Sequence, residues 1–362
     1  MNAPLKKSLL ISPFLIFFVI HSLQVGIGVL SFTKSIAEDA GYHAWIAVPL
    51  AGLLCSLLIW ILYFVLNDQQ SDVVDINRTC FGKYIGGFVT LLILSYFLLL
   101  AVLSLRVYIQ IVQLWVFIDI PTWPLSITIL IVAYYAISQG FRVNVGLSFF
   151  SVMIPIVLLF ITFFFSYEYA KYTYLLPLLD TTIMQQFAAI KTMSLSFFGP
   201  SILLVCYPFI QEAKKSQKYA HLANGFTTIL YIITTLITFT FFSEGQLEML
   251  KFPTLVLWQI ISFPFLERFE FVAIALWLIV ILPKVTLLIW AASRMFKRQF
   301  NIKQRKALLI FIAIAFLLSL FFETRVRINA FSTFISNIGL YYNFVYIPLL
   351  FVIILIKRKM SR

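Results

Sequence analysis

Two apolar runs of membrane-spanning length are interrupted by glycine, at Val25-Gly26-Ile27-Gly28-Val29 in the first run and Phe198-Gly199-Pro200-Ser201 in the sixth. In hydrocarbon an unpaired backbone N–H or C=O is costly, so unwound helix is tolerated only where protein surrounds it or where it lines a cavity. Paired interruptions at matching places in the two halves of a chain mark a site where a small polar ligand meets exposed backbone near the bilayer midplane.

The rest of the chain demands lipid as its solvent. With 62% apolar and 11% charged residues and a mean hydropathy of +1.00 over 362 residues, it carries more apolar surface than one water-soluble core can hide. A net charge of +13 raises the question of nucleic acid. That function needs basic residues gathered on one solvated face with aromatics between them. Here the basic residues lie in short loops between apolar runs, where membrane topology accounts for them.

Runs of about 18 or more apolar residues occur ten times, at roughly 12–35, 44–66, 84–118, 121–138, 145–166, 187–210, 219–242, 254–291, 307–322 and 336–356. The third and eighth are longer than a bilayer requires, which implies strong tilt or a juxtamembrane turn before the true span. A turn suits the eighth, because Glu267, Arg268 and Glu270 would otherwise lie in lipid. The first run is too long for a signal-peptide core and lacks a small-residue cleavage pattern, so it is expected to be retained.

Positive charge then sets orientation. Lys6, Lys7, Arg78, Lys83, Arg142, Lys214, Lys215 and Lys218 fall on one side, with the cluster from Arg294 to Lys306 and the group Lys357, Arg358, Lys359 and Arg362. That side is expected to be the cytoplasm. The opposite side keeps Lys34, Lys171, Lys251, Arg268, Arg325 and Arg327, diluted by acidic residues such as Glu38, Asp39, Asp180, Glu244 and Glu248. Ten spans with both termini inside give this separation.

Shifting the first half by about 173 residues lays the Gly26 break on the Gly199 break, the second run on the seventh and the third on the eighth. Five spans per repeat is an odd number, so the two repeats enter the membrane in opposite senses. The expected fold is an all-α integral membrane protein of ten transmembrane helices, a five-plus-five inverted repeat with discontinuous helices 1 and 6. It forms a single transmembrane domain over 1–362, repeat 1 covering about 12–166 and repeat 2 about 187–356.

Three sequence blocks carry a family resemblance. His21-Ser22-Leu23-Gln24-Val25-Gly26-Ile27-Gly28-Val29-Leu30 resembles the first helix of the spore germination B-subunit (GerAB-type) family of the amino acid–polyamine–organocation superfamily. So do Phe197-Phe198-Gly199-Pro200 running to Tyr207-Pro208-Phe209-Ile210, and Phe263-Pro264-Phe265-Leu266-Glu267-Arg268-Phe269-Glu270 followed by Trp277. The likeness spans essentially the whole chain, with Pro200 as a departure from the larger or polar residue more usual there. The resemblance implies a leucine-transporter type of fold and the nutrient-sensing membrane subunit of a spore germinant receptor. Such a subunit would work beside an A-type membrane subunit and a C-type lipoprotein in the inner membrane of the endospore, with an amino acid as the usual germinant.

The site's chemistry follows from backbone. Freed N–H groups at Gly26 to Gly28 suit a carboxylate, as helix starts do, and carbonyls exposed around Gly199 suit an ammonium. The competing explanation is that both glycines only let helices pack closely. Val25, Gly26, Ile27, Gly28, Phe198, Gly199 and Ser201 form the expected ligand site. By analogy with the fold, Tyr96 and Leu100 on helix 3 and Thr286 on helix 8 complete it.

Arg106 and Lys284 lie at membrane depth, where basic residues are costly. In relatives of this fold a lysine ammonium can stand in for a bound sodium ion, a role open to Lys284; snorkelling to the interface is the alternative. For Arg106 a partnership with a carbonyl or neighbouring polar chain is expected. His21 and Gln24 are expected to bridge helices. Glu267, Arg268 and Glu270 are expected in an outer turn, either solvated or docking the lipoprotein, and the Arg294 to Lys306 cluster to meet anionic lipid.

Cys55, Cys80 and Cys206 are scattered, with no pair at metal-ligand spacing. No nucleophile elbow, phosphate loop or metal cluster is legible, so neither catalysis, cofactor nor metal is expected. Three functions use the same breaks equally well: a receptor subunit, an amino acid permease, and a pore-forming component of an ion-conducting complex.

Overall fold

The computed structural model describes residues 7–176, 181–264 and 266–360; Lys6, Asp180, Phe265 and Arg362, named above, lie outside them. The described residues are helical, and their only β contacts are isolated bridges joining Ile11 to Ile210 and Phe263 to Leu266.

The first half runs α1 (Ile16–Gln24), α2 (Phe32–Ala40), α3 (Ala47–Gln69), α4 (Val73–Trp115), α5 (Thr122–Ser138) and α6 (Phe141–Ser166). The second runs α7 (Ile183–Ser194), α8 (Leu203–Cys206), α9 (Ser216–Phe241), α10 (Glu244–Met249), α11 (Pro253–Gln259), α12 (Phe269–Phe300), α13 (Gln304–Phe321), α14 (Arg325–Tyr341) and α15 (Ile347–Met360). A π-helical segment, Tyr342–Tyr346, joins the last two.

Seven segments of the described residues are long and apolar enough to cross a membrane, or eight when the bent pair Ile183–Phe197 and Pro200–Phe209 counts as one. The shorter apolar helices Pro13–Gln24 and Thr122–Ser138 stand beside them, an arrangement compatible with the ten spans expected. The chain is a multi-pass membrane protein.

Of the two overlong runs the eighth contains a change of direction, whereas the third, 84–118, continues as one helix to Trp115 and is preceded by a bend. In α4 Gly82 adopts φ 81° and ψ 179°, a conformation that side chains resist. It therefore separates an elbow, from Val73, from the membrane helix that follows. The eighth run divides into α11 and α12 around the Phe263–Leu266 turn. Glu270 differs from the open loop expected: it lies in the first turn of α12, buried at 3%, where the helix dipole favours an acid. Arg268 Nε holds it at 3.0 Å while its guanidinium covers the Phe271 ring.

Packing places α12 at the centre, against α4 and α6 along its length and α13, α5 and α1 beside them. α1 packs on α9 and α6, and α3 lies between α9, α7 and α15. At one end of α12, Arg298 bridges Asp72 at 2.7 Å and Asp75 at 2.8 Å, tying the helix to the α4 elbow. Nearby, Ile11 N–H donates to the Phe209 carbonyl and Gln211 N–H to the Ile11 carbonyl, joining the approach to α1 to the end of the sixth-run helices.

Arg106 has the carbonyl partners expected of it. Nε donates to Phe322 O and Nη2 to Glu323 O, both at 2.8 Å, and Nη1 to Gln113 Oε1 at 3.1 Å. These carbonyls follow the C-terminal end of α13, where the helix leaves acceptors unpaired and its dipole favours a cation. Removing the guanidinium in Arg106→Met should destabilise the fold by about 2 kcal/mol or more, since hydrogen bonds to a charged group contribute roughly 1.5–3 kcal/mol. The measurement is a lowered melting temperature of the purified protein; an unchanged one would show that the cap is not needed.

Near that cap, in the loop before α11, Lys251 Nζ donates to Gln110 Oε1 at 3.0 Å. Burial first, then Arg325 and Arg106, push its ammonium from the ordinary 10.5 down to about 8. Between those values the unfolded chain holds a proton that the folded chain has lost, so stability rises with pH across that window and the cost of the charge is fully present below it. Melting curves of wild type should climb over that alkaline range, and Lys251→Gln should flatten the climb.

Candidate functional site

The first break begins where Val25 leaves α1 with φ −77° and ψ 118°, and the chain resumes as a short 3-10 turn over Ile27–Leu30 before α2. Two carbonyls at the interruption find side-chain donors: Tyr231 OH donates to Gln24 O at 2.9 Å, and Thr254 Oγ1 to Val29 O at 3.0 Å. In the second break α7 passes through a 3-10 turn, Leu195–Phe197, into Gly199 and a further turn, Pro200–Ile202, bending the pair by 45°.

Gln24 joins the two. Its Nε2 donates to Phe197 O at 3.4 Å in the second break and to Asn224 Oδ1 at 3.0 Å on α9. Asn224 Nδ2 in turn donates to Gly52 O at 2.8 Å and Ser56 Oγ at 2.9 Å on α3. His21 Nδ1 lies 2.8 Å from Thr227 Oγ1, and Ser22 Oγ donates to Ser148 Oγ at 3.1 Å. The last turns of α1 are thus bonded to three other helices, as a broken helix in lipid requires. His21 and Gln24 are the interhelical bridges their types suggested.

The glycines serve different ends. A Cβ on Gly199 would stand 2.9 Å from Ile20 O and from Gln24 Cγ, so the broken helices touch there backbone to backbone. A Cβ on Gly26 would meet Lys284 Cδ and Nζ at 3.1 Å, which brings the lysine of α12 against the first break. Val25 and Gly26 are buried, Ile27 is half-buried, and Gly28 keeps accessible surface facing Ser196 Oγ, 3.5 Å from the Cβ position. Gly28 is therefore the exposed residue of the first break.

Tyr96 OH lies 2.9 Å, and the Phe198 ring 3.0 Å, from the point where a Gly339 Cβ would stand. Tyr96 of α4, Phe198 of the second break and Gly339 of α14 consequently converge. Ser201 stays within its own break, donating to Phe198 O at 3.3 Å. Leu100 is partly buried against the core, and Thr286 is fully buried with its hydroxyl donating to Pro283 O at 3.1 Å. The Thr286 hydroxyl is thus used within its own helix and Leu100 packs into the core, not against the backbone of either break. Ser196, Gly339, Tyr231 and Thr254 join the site without any mark in the hydropathy pattern, because single polar or small residues in apolar helices do not change it. Among the described residues no His, Cys, Asp or Glu cluster could hold a metal.

A helical bundle with two interrupted helices that meet each other defines a membrane protein of the leucine-transporter fold. Solved structures agree. MhsT in complex with L-phenylalanine superposes with a TM-score of 0.66 at 17% identity, over 94% of this chain and 87% of that one. A Na+-coupled sialic acid symporter in a substrate-bound outward-open state also gives 0.66, at 12% identity over 91% and 76%. The family pattern described as spore germination protein matches residues 10–328. Spore germination protein GerQB of Bacillus cereus is 40% identical over 352 residues, 97% of this chain and 98% of its own. Spore germination protein YndE of Bacillus subtilis is 25% identical over 348 residues, 94% and 95% of the two chains. The chain belongs to the spore germination protein family.

The contrast between the glycines is testable. Gly199→Ala drives a methyl into the Ile20 carbonyl, which cannot swing away as a side chain can, and should cost about 1–3 kcal/mol. Gly28→Ala meets only ordinary contact and should melt like wild type. Equal melting temperatures for the two variants would refute the close-contact role of Gly199.

Proposed function

We propose that this protein is the nutrient-sensing membrane subunit of a spore germinant receptor, in the inner membrane of the endospore, which binds a small germinant between its two helix breaks and signals to partner subunits. The observation that carries this reading is the meeting of both breaks at one place in a member of the spore germination family. Open backbone at Gly28 and the N–H groups that start the turn after Gly26 suit a carboxylate. The carbonyl side of the second break, at Phe198 and Gly199, suits an ammonium, and an amino acid carries both. Val25, Ile27, Ser201, Tyr96, Leu100 and Thr286 complete the pocket in this reading, Tyr96 offering its hydroxyl to the carboxylate and the last two meeting the germinant's variable side chain. An A-type membrane subunit and a C-type lipoprotein are the partners, the lipoprotein on the outer face.

Lys284 is assigned the place of a sodium ion. Its ammonium lies against the Gly26 break, where α12 faces α1, and among the described residues no ion pair holds it. A second reading, an amino acid permease, is favoured by one observation, the likeness of the fold to transporters. Uptake of labelled amino acid into vesicles containing the protein separates the two: sustained accumulation would establish the permease and refute the sensor-only function.

Two variants test the site in spores, with membrane levels checked. Gly26→Trp, which Lys284 cannot evade by bending, should abolish the nutrient response; a normal dose-response would take Gly26 out of the pocket. Lys284→Met keeps bulk and removes charge, and should give a lost or constitutive response, with wild type germinating equally in sodium and in choline buffers. Sodium dependence in wild type, or a normal response from Lys284→Met, would refute the ion-mimic role.

A further inference from the structure

The last membrane helix is not regular. Between α14 and α15 the chain winds as a π-helix over Tyr342–Tyr346, a rare arrangement that concentrates at functional positions. Inside this segment the Tyr342 hydroxyl and the Asn343 carbonyl oxygen Oδ1 are both buried without a hydrogen-bond partner. Asn343 Nδ2 donates to Gly339 O at 2.9 Å, so its amide is held from one end only. An orphaned buried polar group is costly, and two adjacent ones within a membrane helix call for a reason.

Their position supplies it. Gly339, one turn before Tyr342 on the same helix face, is the residue against which Tyr96 OH and the Phe198 ring converge. Tyr342 packs its ring 5.3 Å from Tyr96 and 5.9 Å from Phe97. Its ring therefore belongs to the cluster in which Tyr96 and Gly339 meet Phe198 of the second break.

On its other side Tyr342 stacks on Tyr346, with ring centroids 5.4 Å apart and planes 14° from parallel. Tyr346 OH donates to Asn77 Oδ1 at 2.6 Å, and Asn77 Nδ2 to Thr90 Oγ1 at 3.0 Å. Asn77 lies in the elbow of α4, whose backbone presses on Gly86 just past the Gly82 bend. Asp72 and Asp75, the partners of Arg298, begin the same elbow. A continuous line of contacts thus runs from Tyr96 to the elbow and the end of α12. The π turn is the element in that line able to exist in two arrangements, because regaining α-geometry shifts the register of everything beyond it.

We propose that Tyr342 is a ligand-contacting residue, its hydroxyl bonding a polar group of the bound germinant, and that the Tyr342–Tyr346 π segment passes occupancy through Tyr346 and Asn77 to the α4 elbow. This rests on the binding site described under the proposed function. The unpaired hydroxyl is a destabilising feature of the empty protein that the ligand relieves. Removing it should therefore improve the empty state and weaken binding together, a pairing that a purely structural tyrosine does not produce.

The test uses the full-length protein in nanodiscs, melted with each of the twenty common L-amino acids at millimolar concentration. Tyr342→Phe should melt higher than wild type without ligand, while the half-saturating concentration of the stabilising amino acid rises about tenfold, as expected for the loss of one hydrogen bond. Tyr346→Phe should bind with wild-type half-saturation yet abolish germination in spores, because only the link to Asn77 is cut. An unchanged half-saturation in Tyr342→Phe, for an amino acid that stabilises wild type, would overturn the contact and leave the site standing. Normal germination of Tyr346→Phe would overturn the transmission. If no amino acid stabilises wild type, the amino acid site and this inference fall together.

Discussion

Backbone that leaves a helix inside a bilayer must find partners within the protein, and everything distinctive here depends on how the first break finds them. Tyr231 and Thr254 take two of its carbonyls, while Gln24, the last residue of α1, reaches across to Phe197 O in the second break and to Asn224 on α9. The interruptions are therefore one structure, bonded to each other and to α9, instead of two separate weak points. That explains how an apolar chain can keep unwound segments and still leave Gly28 exposed.

The basic residues at membrane depth divide by what surrounds them. Arg106 is saturated by carbonyls and a glutamine at the end of α13, and its role is that of a cap. Lys284 lies against the Gly26 break, the place where α12 and α1 must be held in register. A compact ammonium suits a role in which the partners are backbone dipoles, whereas a planar guanidinium suits a fixed set of carbonyls.

Stability is distributed unevenly. The α12–α4 contact is fastened by Arg298 to Asp72 and Asp75, and the bond between Ile11 and the chain after Phe209 closes the same region. Elsewhere buried polar atoms are left without hydrogen-bond partners, among them Gln24 Oε1, Tyr342 OH and Asn343 Oδ1. The shortfall is not confined to the breaks, since Arg294 Nε, one turn from Arg298, has no hydrogen-bond partner either.

Hydropathy alone determined the solvent, the approximate spans and the existence of both breaks, since an apolar run of bilayer length has few alternatives and a glycine pair within one is conspicuous. The bend hidden in the eighth run was legible as excess length, whereas the Gly82 bend lies before the third run, whose length belongs to one long helix. The structure decided which glycine is a packing contact and which faces a lysine, a distinction set by neighbours about 170 or more residues away in the chain, as with Ile20 against Gly199. It also placed Glu270 in the interior and brought Gly339 and Tyr342 against Tyr96. Those placements depend on the rotation of each helix about its own axis, and a run that is apolar on every face carries no record of that rotation.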